Sequence, residues 1–300
     1  MTQTFYDAPV AVTGATGAQG GATARALLAR GHRVRALTRD PQGPAAAALA
    51  ALGAQVVRAD FDEPASLTGA LAGAGALFAM STPFGTDLAT EVRQGVALLD
   101  AAQATAGLRH VVLTSATNAD RGTGIPHFDS KAAIERHLAG LDLPWTVLGP
   151  AVFLDNYVND WTLESLREGV YAMPMPADQL LPVIAAADIG AFAALVLERP
   201  QHFVHQRIDI AAQWCTPRRI AEVITAASGR RITHREVPLA VVEQYSTDLA
   251  AMFRYFQRTG LQVDVDALRW NHPEVGWQGV EQWAAAQDWP RLLGAVPTGN

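Results

Sequence analysis

Three glycines spaced three residues apart follow a short apolar run near the start of the chain. The run Val10–Thr13 has the β-branched composition of a buried strand, and Gly14, Gly17 and Gly20 come directly after it. Glycines between a strand and a helix let the chain turn sharply and let a pyrophosphate approach the backbone. The N–H groups and partial positive charge of the helix start then favour phosphate. The motif predicts a dinucleotide-binding unit, and a tight turn without a ligand is the alternative.

Apolar runs alternate with Ala- and Leu-rich stretches of helical length through the first half of the chain. The predicted strands are Val10–Thr13, His32–Thr38, Gln55–Ala59, Ala76–Met80, Arg109–Thr114 and Trp145–Leu148. The predicted helices between them are Gly20–Arg30, Pro44–Leu52, Glu63–Leu71, Asp87–Thr105 and Ile125–Leu138. Such alternation is typical of parallel strands joined by right-handed crossovers. We therefore predict an α/β fold with a Rossmann-type, doubly wound parallel sheet.

The pattern changes after Pro150, where prolines are frequent and strands are fewer. Helices are predicted over Asp188–Leu197, Pro217–Ser228 and Val241–Arg258, and a short strand over Arg231–Val237. We predict a dinucleotide-binding domain at 1–150 and a smaller, mixed α/β region at 151–300. This second region is expected to pack on the carboxyl edge of the sheet and to carry substrate or regulatory functions.

Composition and charge exclude several classes of function. The 300 residues are 49% hydrophobic with a net charge of −6, so the chain can build a core but is a poor nonspecific ligand for nucleic acid or membrane surfaces. The single cysteine, Cys215, and the lack of a visible signal peptide favour a cytoplasmic protein. His202 and His205 have a metal-ligand spacing, but nothing completes the set, so no metal site is predicted.

Arg39 ends the second predicted strand, 25 residues after Gly14. In a dinucleotide fold an acid at this position binds the ribose 2′-hydroxyl, whereas an arginine accommodates a 2′-phosphate. Arg39 therefore predicts NADP(H) in preference to NAD(H). Two alternatives stay open, because Asp40 could pair with Arg39 or reach the ribose, and Arg39 could be an ordinary surface residue.

The ends of the remaining strands supply further candidates, because ligands of open α/β sheets lie outside the carboxyl ends of the strands. Ser81–Pro83 follow the fourth strand, Thr114 and Ser115 the fifth, and Phe153–Tyr157 the sixth. Asp60, after the third strand, could lie near an adenine or cap a helix.

Four stretches together resemble the NmrA-like branch of the atypical short-chain dehydrogenases/reductases. They are GATGAQGG (14–21), TRDP (38–41), HFDSK (127–131) and LAAMFRYFQRTG (249–260). The resemblance spans nearly the whole chain. Within the branch the chain is similar to redox-sensor proteins and to bacterial NADPH-dependent quinone reductases.

The resemblance implies cofactor contacts from both halves of the chain. The phosphate loop would comprise Gly14, Ala15, Thr16, Gly17, Ala18 and Gln19. Arg39 would bind the 2′-phosphate, and Asp60 and Phe61 would flank the adenine. The far side of the dinucleotide would be lined by Ser81, Thr82 and Pro83. Arg93 stands where relatives carry a lysine that reaches the cofactor. Lys131 would hold the nicotinamide ribose, and the loop closing over the nicotinamide would comprise Phe153, Leu154, Asp155 and Asn156.

The resemblance leaves the proton donor open. Typical short-chain dehydrogenases use Tyr-x-x-x-Lys, but His127 stands four residues before Lys131, and relatives in this branch also lack the tyrosine. His127 could supply a proton near neutral pH or pack against the cofactor, and Thr114, Ser115 or water are the other sources. Lys131 could also be a solvated helix lysine.

Two classes of function fit these residues. One is an NADPH-dependent reductase of a quinone or a similar conjugated acceptor, and the other is an NADP(H) sensor that acts through a protein partner. The reductase is favoured because the strand ends offer a proton donor and an apolar acceptor site together. Monomer and homodimer both stay open.

Overall fold

The computed structural model describes residues 7–82 and 87–294. The strands are β1 Val10–Val12, β2 Val34–Thr38, β3 Gln55–Arg58, β4 Ala76–Met80, β5 Val111–Thr114, β6 Trp145–Pro150, β7 Val152–Phe153, β8 Val170–Met173, β9 Leu181–Ile184, β10 Gln206–Ile210, β11 Gln213–Cys215 and β12 Thr233–Glu236. The helices are α1 Ala18–Ala29, α2 Pro44–Ala51, α3 Pro64–Leu71, α4 Leu88–Gln103, α5 Pro126–Ala139, α6 Asp160–Arg167, α7 Ala186–Glu198, α8 Pro200–Phe203, α9 Pro217–Ser228, α10 Leu239–Tyr245, α11 Thr247–Arg258, α12 Val265–Asn271, α13 Val280–Ala285 and α14 Trp289–Leu293.

The main sheet has the strand order β10-β6-β5-β4-β1-β2-β3 in the described part of the chain. The pairs β1–β2, β1–β4, β2–β3, β4–β5 and β5–β6 are all parallel. This arrangement confirms the predicted Rossmann-type sheet. Chain order reverses between β1 and β4, and such a reversal opens a crevice at the carboxyl ends of the strands.

The strands of this sheet are apolar because helices cover both of its faces. Val10, Ala11 and Val12 of β1 are buried, as are the first four residues of β4. Leu98 and Leu99 of α4 pack into the same core. Continuous rather than alternating apolar runs are the expected signature of a parallel sheet covered on both sides.

The chain divides into two compact units. The first contains the described residues up to Pro150 together with Ala186–Asp209, so α7, α8 and most of β10 return to it. Gly190 of α7 lies against the backbone of Ala22 in α1, where a Cβ atom would come within 2.5 Å of the Ala22 carbonyl carbon. The sequence pattern instead predicts this segment as part of the 151–300 region.

The second unit contains Ala151–Ala185 and the described residues from Ile210 onward. Its sheets have the orders β11-β9-β7 and β12-β8. The helix predicted over Val241–Arg258 is divided into α10 and α11, because the Ser246 hydroxyl accepts a hydrogen bond from the Leu249 amide and starts a new helix. The packing of this region on the carboxyl edge of the main sheet stays a prediction.

None of the helices among the described residues is long and apolar enough to cross a membrane.

Candidate functional site

The glycine loop joins β1 to α1 and leaves the start of the helix open. Gly14 has a φ of +58°, which glycine adopts at little cost, and a Cβ atom at Gly20 would overlap the carbonyl oxygens of Thr13 and Gly14. Gly17 precedes α1, where no side chain caps the helix and no acidic residue occupies the first turn. A Cβ atom at Gly17 would meet only the Gly14 carbonyl oxygen, at 3.4 Å. The loop therefore fits a pyrophosphate, since it offers first-turn N–H groups beside open space.

Hydrogen bonds fix this loop to the ends of two other strands. The Thr16 and Thr38 hydroxyls lie 3.4 Å apart, which brings the loop beside the end of β2. The Thr114 hydroxyl, at the end of β5, donates to Gln19 Oε1 at 2.7 Å. Predicted residues from three strand ends therefore meet at one edge of the sheet. Within the loop, Ala15 is buried, while Thr16 and Ala18 are exposed.

Arg39 and Asp40 are both exposed after β2, but they do not pair with each other. Asp40 Oδ1 accepts a hydrogen bond from the Gln42 amide at 3.1 Å, so its carboxylate shapes the following turn. Arg39 forms no ion pair with any residue in the described part of the chain. Its guanidinium is therefore available to an external anion.

Asp60, Phe61 and Arg93, which were also predicted to contact the cofactor, make contacts within the first unit. Asp60 Oδ1 accepts from the Asp62 amide at 3.1 Å, as expected for a turn-forming carboxylate. Phe61 is half-buried and packs on the core of the main sheet. Arg93 is exposed, and its Nη2 lies 3.5 Å from Asp62 Oδ1. Their cofactor contacts stay predictions.

Lys131 belongs to a buried polar cluster that the sequence analysis missed. Its Nζ lies 3.0 Å from Glu91 Oε1 and 3.3 Å from the Ser81 carbonyl oxygen at the end of β4. Glu91 is completely buried and also accepts hydrogen bonds from the hydroxyls of Ser81, at 2.9 Å, and Ser130, at 2.5 Å. The solvated-lysine alternative does not describe Lys131, whose side chain is only 13% exposed. Thr82, the residue after Ser81, is half-buried, and Pro83 lies outside the described residues.

Ser115 takes part in a second buried network. Its hydroxyl donates to Glu135 Oε1, and Glu135 Oε2 accepts from Arg207 Nε at 2.9 Å. Arg207 of β10 also donates to Asp209, at 2.5 Å, and to the Ala116 carbonyl oxygen, at 2.7 Å. Ser115 therefore serves an internal ion pair, which limits its use as a proton donor.

His127 is buried in the first turn of α5, with its ring edge-to-face against Phe128 at a centroid distance of 4.9 Å. Its role as proton donor or packing residue stays open. In the second unit, Phe153 ends β7 and is half-buried, and Leu154 is fully buried. Asp155 is half-buried and Asn156 is exposed. Closure of this loop over the nicotinamide stays a prediction.

Comparison with known proteins identifies the family. The sequence profile of the NmrA-like family matches residues 7–284. The chain belongs to the NmrA-like family. This result confirms the resemblance seen in the glycine loop and in the HFDSK stretch.

Two curated relatives of this chain are named as an azoreductase and a quinone oxidoreductase. A NAD(P)H azoreductase of Xenophilus azovorans is 27% identical over 241 residues, covering 80% of this chain and 81% of the relative. Quinone oxidoreductase 2 of Escherichia coli (strain K12) is 28% identical over 232 residues, covering 76% and 77%.

Solved structures of NmrA-like proteins share the fold. A triphenylmethane reductase of Citrobacter sp. superposes with a TM-score of 0.77 at 22% identity, over 96% of this chain and 100% of that chain. NmrA, described as a negative transcriptional regulator, superposes with a TM-score of 0.77 at 22% identity, over 95% and 97%. NmrA has been solved with NAD and with NADP. Because the sequence identities are low, the structural similarity establishes the fold alone.

Proposed function

We propose that this NmrA-like protein is an NADPH-dependent reductase that transfers hydride to a quinone or a similar conjugated acceptor. The observation that carries the proposal is the uncapped start of α1 at the switch point of the sheet, with Arg39 directly after β2 and without an ion pair in the described part of the chain. This combination suits the pyrophosphate and the 2′-phosphate of one dinucleotide. The names of the azoreductase and quinone oxidoreductase relatives support the reaction class.

Preference for NADP(H) is the finer part of the proposal. The Asp40 carboxylate is turned into its own loop, so it does not neutralise Arg39. An exposed guanidinium without an internal partner can bind a phosphate through two parallel hydrogen bonds. NmrA itself has been solved with either cofactor, so family membership alone does not decide this point.

The residues of the chain bind and orient, while the cofactor supplies the hydride. The first-turn amides of α1 hold the pyrophosphate, Arg39 holds the 2′-phosphate, and Lys131 holds the nicotinamide ribose. One hydride and one proton convert a quinone to a hydroquinone. The Thr114 and Ser115 hydroxyls already donate to Gln19 and Glu135, so the proton comes from His127 or from water. A quinone suits such a site because its reduced oxyanion needs little help from an acid.

A sensor of the NADP(H) ratio is the second candidate. The Thr114 and Ser115 hydroxyls are engaged inside the chain, and one fold relative is described as a transcriptional regulator. Such a protein would bind the cofactor without turnover and act through a protein partner. The cofactor would have to bind two shapes of the protein with different affinity.

Oxidation of NADPH by the purified protein tests the proposal. The acceptors are a panel of quinones, azo dyes, triphenylmethane dyes and aldehydes, with NADH measured in parallel. We expect turnover with at least one quinone and faster turnover with NADPH than with NADH at low cofactor concentration. Tight binding of NADPH without its oxidation by any acceptor would instead support the sensor.

A further inference from the structure

We propose that Glu91 is a positioning residue, which holds the Lys131 ammonium where it can bind the nicotinamide ribose. This inference rests on the proposed function. Glu91 lies in the first turn of α4, Lys131 lies on α5, and Ser81 directly follows β4. The cluster therefore ties two helices to the strand end beside the switch point of the sheet.

The geometry fixes the Glu91 carboxylate completely. Oε1 accepts hydrogen bonds from the Ser81 hydroxyl at 2.9 Å and from Lys131 Nζ at 3.0 Å, and Oε2 accepts from the Ser130 hydroxyl at 2.5 Å. Ser130 also donates to the His127 carbonyl oxygen at 3.0 Å. A carboxylate held by three donors, two on α5 and one directly after β4, has one orientation, so it gives its lysine a defined position.

The donor count of Lys131 leaves one N–H for a ligand. An ammonium group has three donors and no acceptor. Among the described residues, Lys131 Nζ uses two of them, one on Glu91 Oε1 and one on the Ser81 carbonyl oxygen. The side chain keeps 13% of its surface exposed, so the third N–H can reach a hydroxyl at the edge of the sheet.

Stability alone does not account for this cluster. Replacing a buried ion pair by apolar residues of similar volume is often neutral or stabilising. A completely buried glutamate that serves one lysine and two hydroxyls is better explained by a need to place the ammonium group.

Calorimetric titration with two ligands separates positioning from general stability. NADPH contains the nicotinamide ribose, whereas 2′,5′-ADP carries the 2′-phosphate and lacks that ribose. Glu91→Gln keeps the shape of the side chain and removes its charge. Glu198→Gln is the matched control, because Glu198 also binds two partners, Arg30 and His32, but lies near the amino end of β2.

We expect Glu91→Gln to weaken NADPH binding by about tenfold, in line with one charged hydrogen bond, and to leave 2′,5′-ADP binding unchanged. Hydride transfer in a single turnover should slow by about 10–100-fold, since small misplacement of reacting groups is costly. In a Lys131→Met background, Glu91→Gln should have no further effect on NADPH affinity. Glu198→Gln should change neither affinity nor transfer.

Equal loss of both ligands in Glu91→Gln would overturn the inference, as would unchanged NADPH binding. A persisting effect of Glu91→Gln in the Lys131→Met background would also overturn it. If that double variant does not fold, the comparison of the two ligands in Glu91→Gln decides alone. If the wild-type protein did not bind NADPH, both the proposed function and this inference would be refuted. If the wild-type protein bound NADPH and Glu91→Gln bound it equally well, only the inference would be refuted.

Discussion

At the scale of single residues, the proposed function assigns the choice of cofactor to Arg39. Replacing Arg39 with alanine should weaken NADPH binding by about 1.5–3 kcal/mol, the value of a hydrogen bond to a charged group, and barely change NADH binding. Calorimetric titration of both cofactors measures the difference. Arg33→Ala is the control, because Arg33 is an exposed arginine just before β2 that donates to the Asp7 carbonyl oxygen. Equal losses for NADPH and NADH would remove Arg39 from the 2′-phosphate.

The loop glycines differ in what a side chain would meet. Gly17 has extended backbone angles, φ −94° and ψ −174°, and a Cβ atom there would make only an ordinary contact, with the Gly14 carbonyl oxygen at 3.4 Å, so Gly17→Val should fold. It should nevertheless lose both dinucleotides, because a branched side chain occupies the space of the pyrophosphate. Gly20→Ala should instead destabilise the fold by about 1–3 kcal/mol, since its Cβ would overlap backbone oxygens. Circular dichroism and thermal unfolding measure the folding of the two variants, and titration measures their affinity for NADPH. If folded Gly17→Val kept its affinity for NADPH, the glycine loop would not be the pyrophosphate site.

At the scale of elements, α7 packs on α1 through Gly190. A Cβ atom there would come within 2.7 Å of both the Ala22 carbonyl oxygen and the Thr23 amide nitrogen, and helix backbones cannot yield to it cheaply. We expect Gly190→Ala to destabilise the protein by about 1–3 kcal/mol. Gly69→Ala in α3, where no atom lies within 4 Å of a Cβ atom, should be neutral or stabilising by up to about 1 kcal/mol. Thermal unfolding compares them, and equal midpoints would contradict the close packing of α1 and α7.

The sequence predicted elements best where one local pattern decides them. The first six strands of the main sheet were predicted because continuous apolar runs stand between helical stretches. Glu91 was missed because a glutamate in a helix is usually solvated. A signal was present, since Glu91, Gly95, Leu98 and Ala102 repeat at the spacing of one helix face, which put the charge on the buried stripe of α4. Its partners lie in other parts of the chain, Ser81 directly after β4 and Ser130 and Lys131 on α5, so only the fold identifies them.

At the scale of the whole molecule, the sequence could not predict that Ala186–Asp209 returns to the first unit. The segment adds α7 and most of β10 to this unit. The sequence of α7 resembles that of any other apolar helix, and QRIDI (206–210) forms a short, partly polar strand, so neither indicates which unit it joins. Which sheet such a strand joins depends on long-range pairing rather than on local propensity. The family resemblance supplied the candidate cofactor positions, whereas the internal partners of Ser115 and Lys131 required the structure.

Stability of the molecule should fall in mild acid because of His110. Burial, together with nearby His205, lowers the pKa of His110 to about 4. The Thr146 hydroxyl donates to the Phe203 carbonyl oxygen, so His110 Nε2–H donates to Thr146, and Nδ1 has no partner among the described residues.

The neutral ring is favoured in the folded state, so its contribution is complete above about pH 6.5 and is lost as the pH falls towards 4. The loss should amount to about 3 kcal/mol. Thermal unfolding midpoints across this range measure it, and His110→Gln should flatten the dependence. An unchanged slope in His110→Gln would exclude His110 as its source.

Hydride transfer in a single turnover tests the central claim most directly. The protein is loaded with NADPH deuterated at the reactive C4 position or left unlabelled, and is mixed with excess quinone in a stopped-flow instrument. Our account predicts that the NADPH signal decays in one turnover, that the deuterated cofactor reacts more slowly, and that Gly17→Val shows no enzyme-dependent decay. NADPH that is bound by the wild-type protein but is not oxidised by any quinone would contradict it.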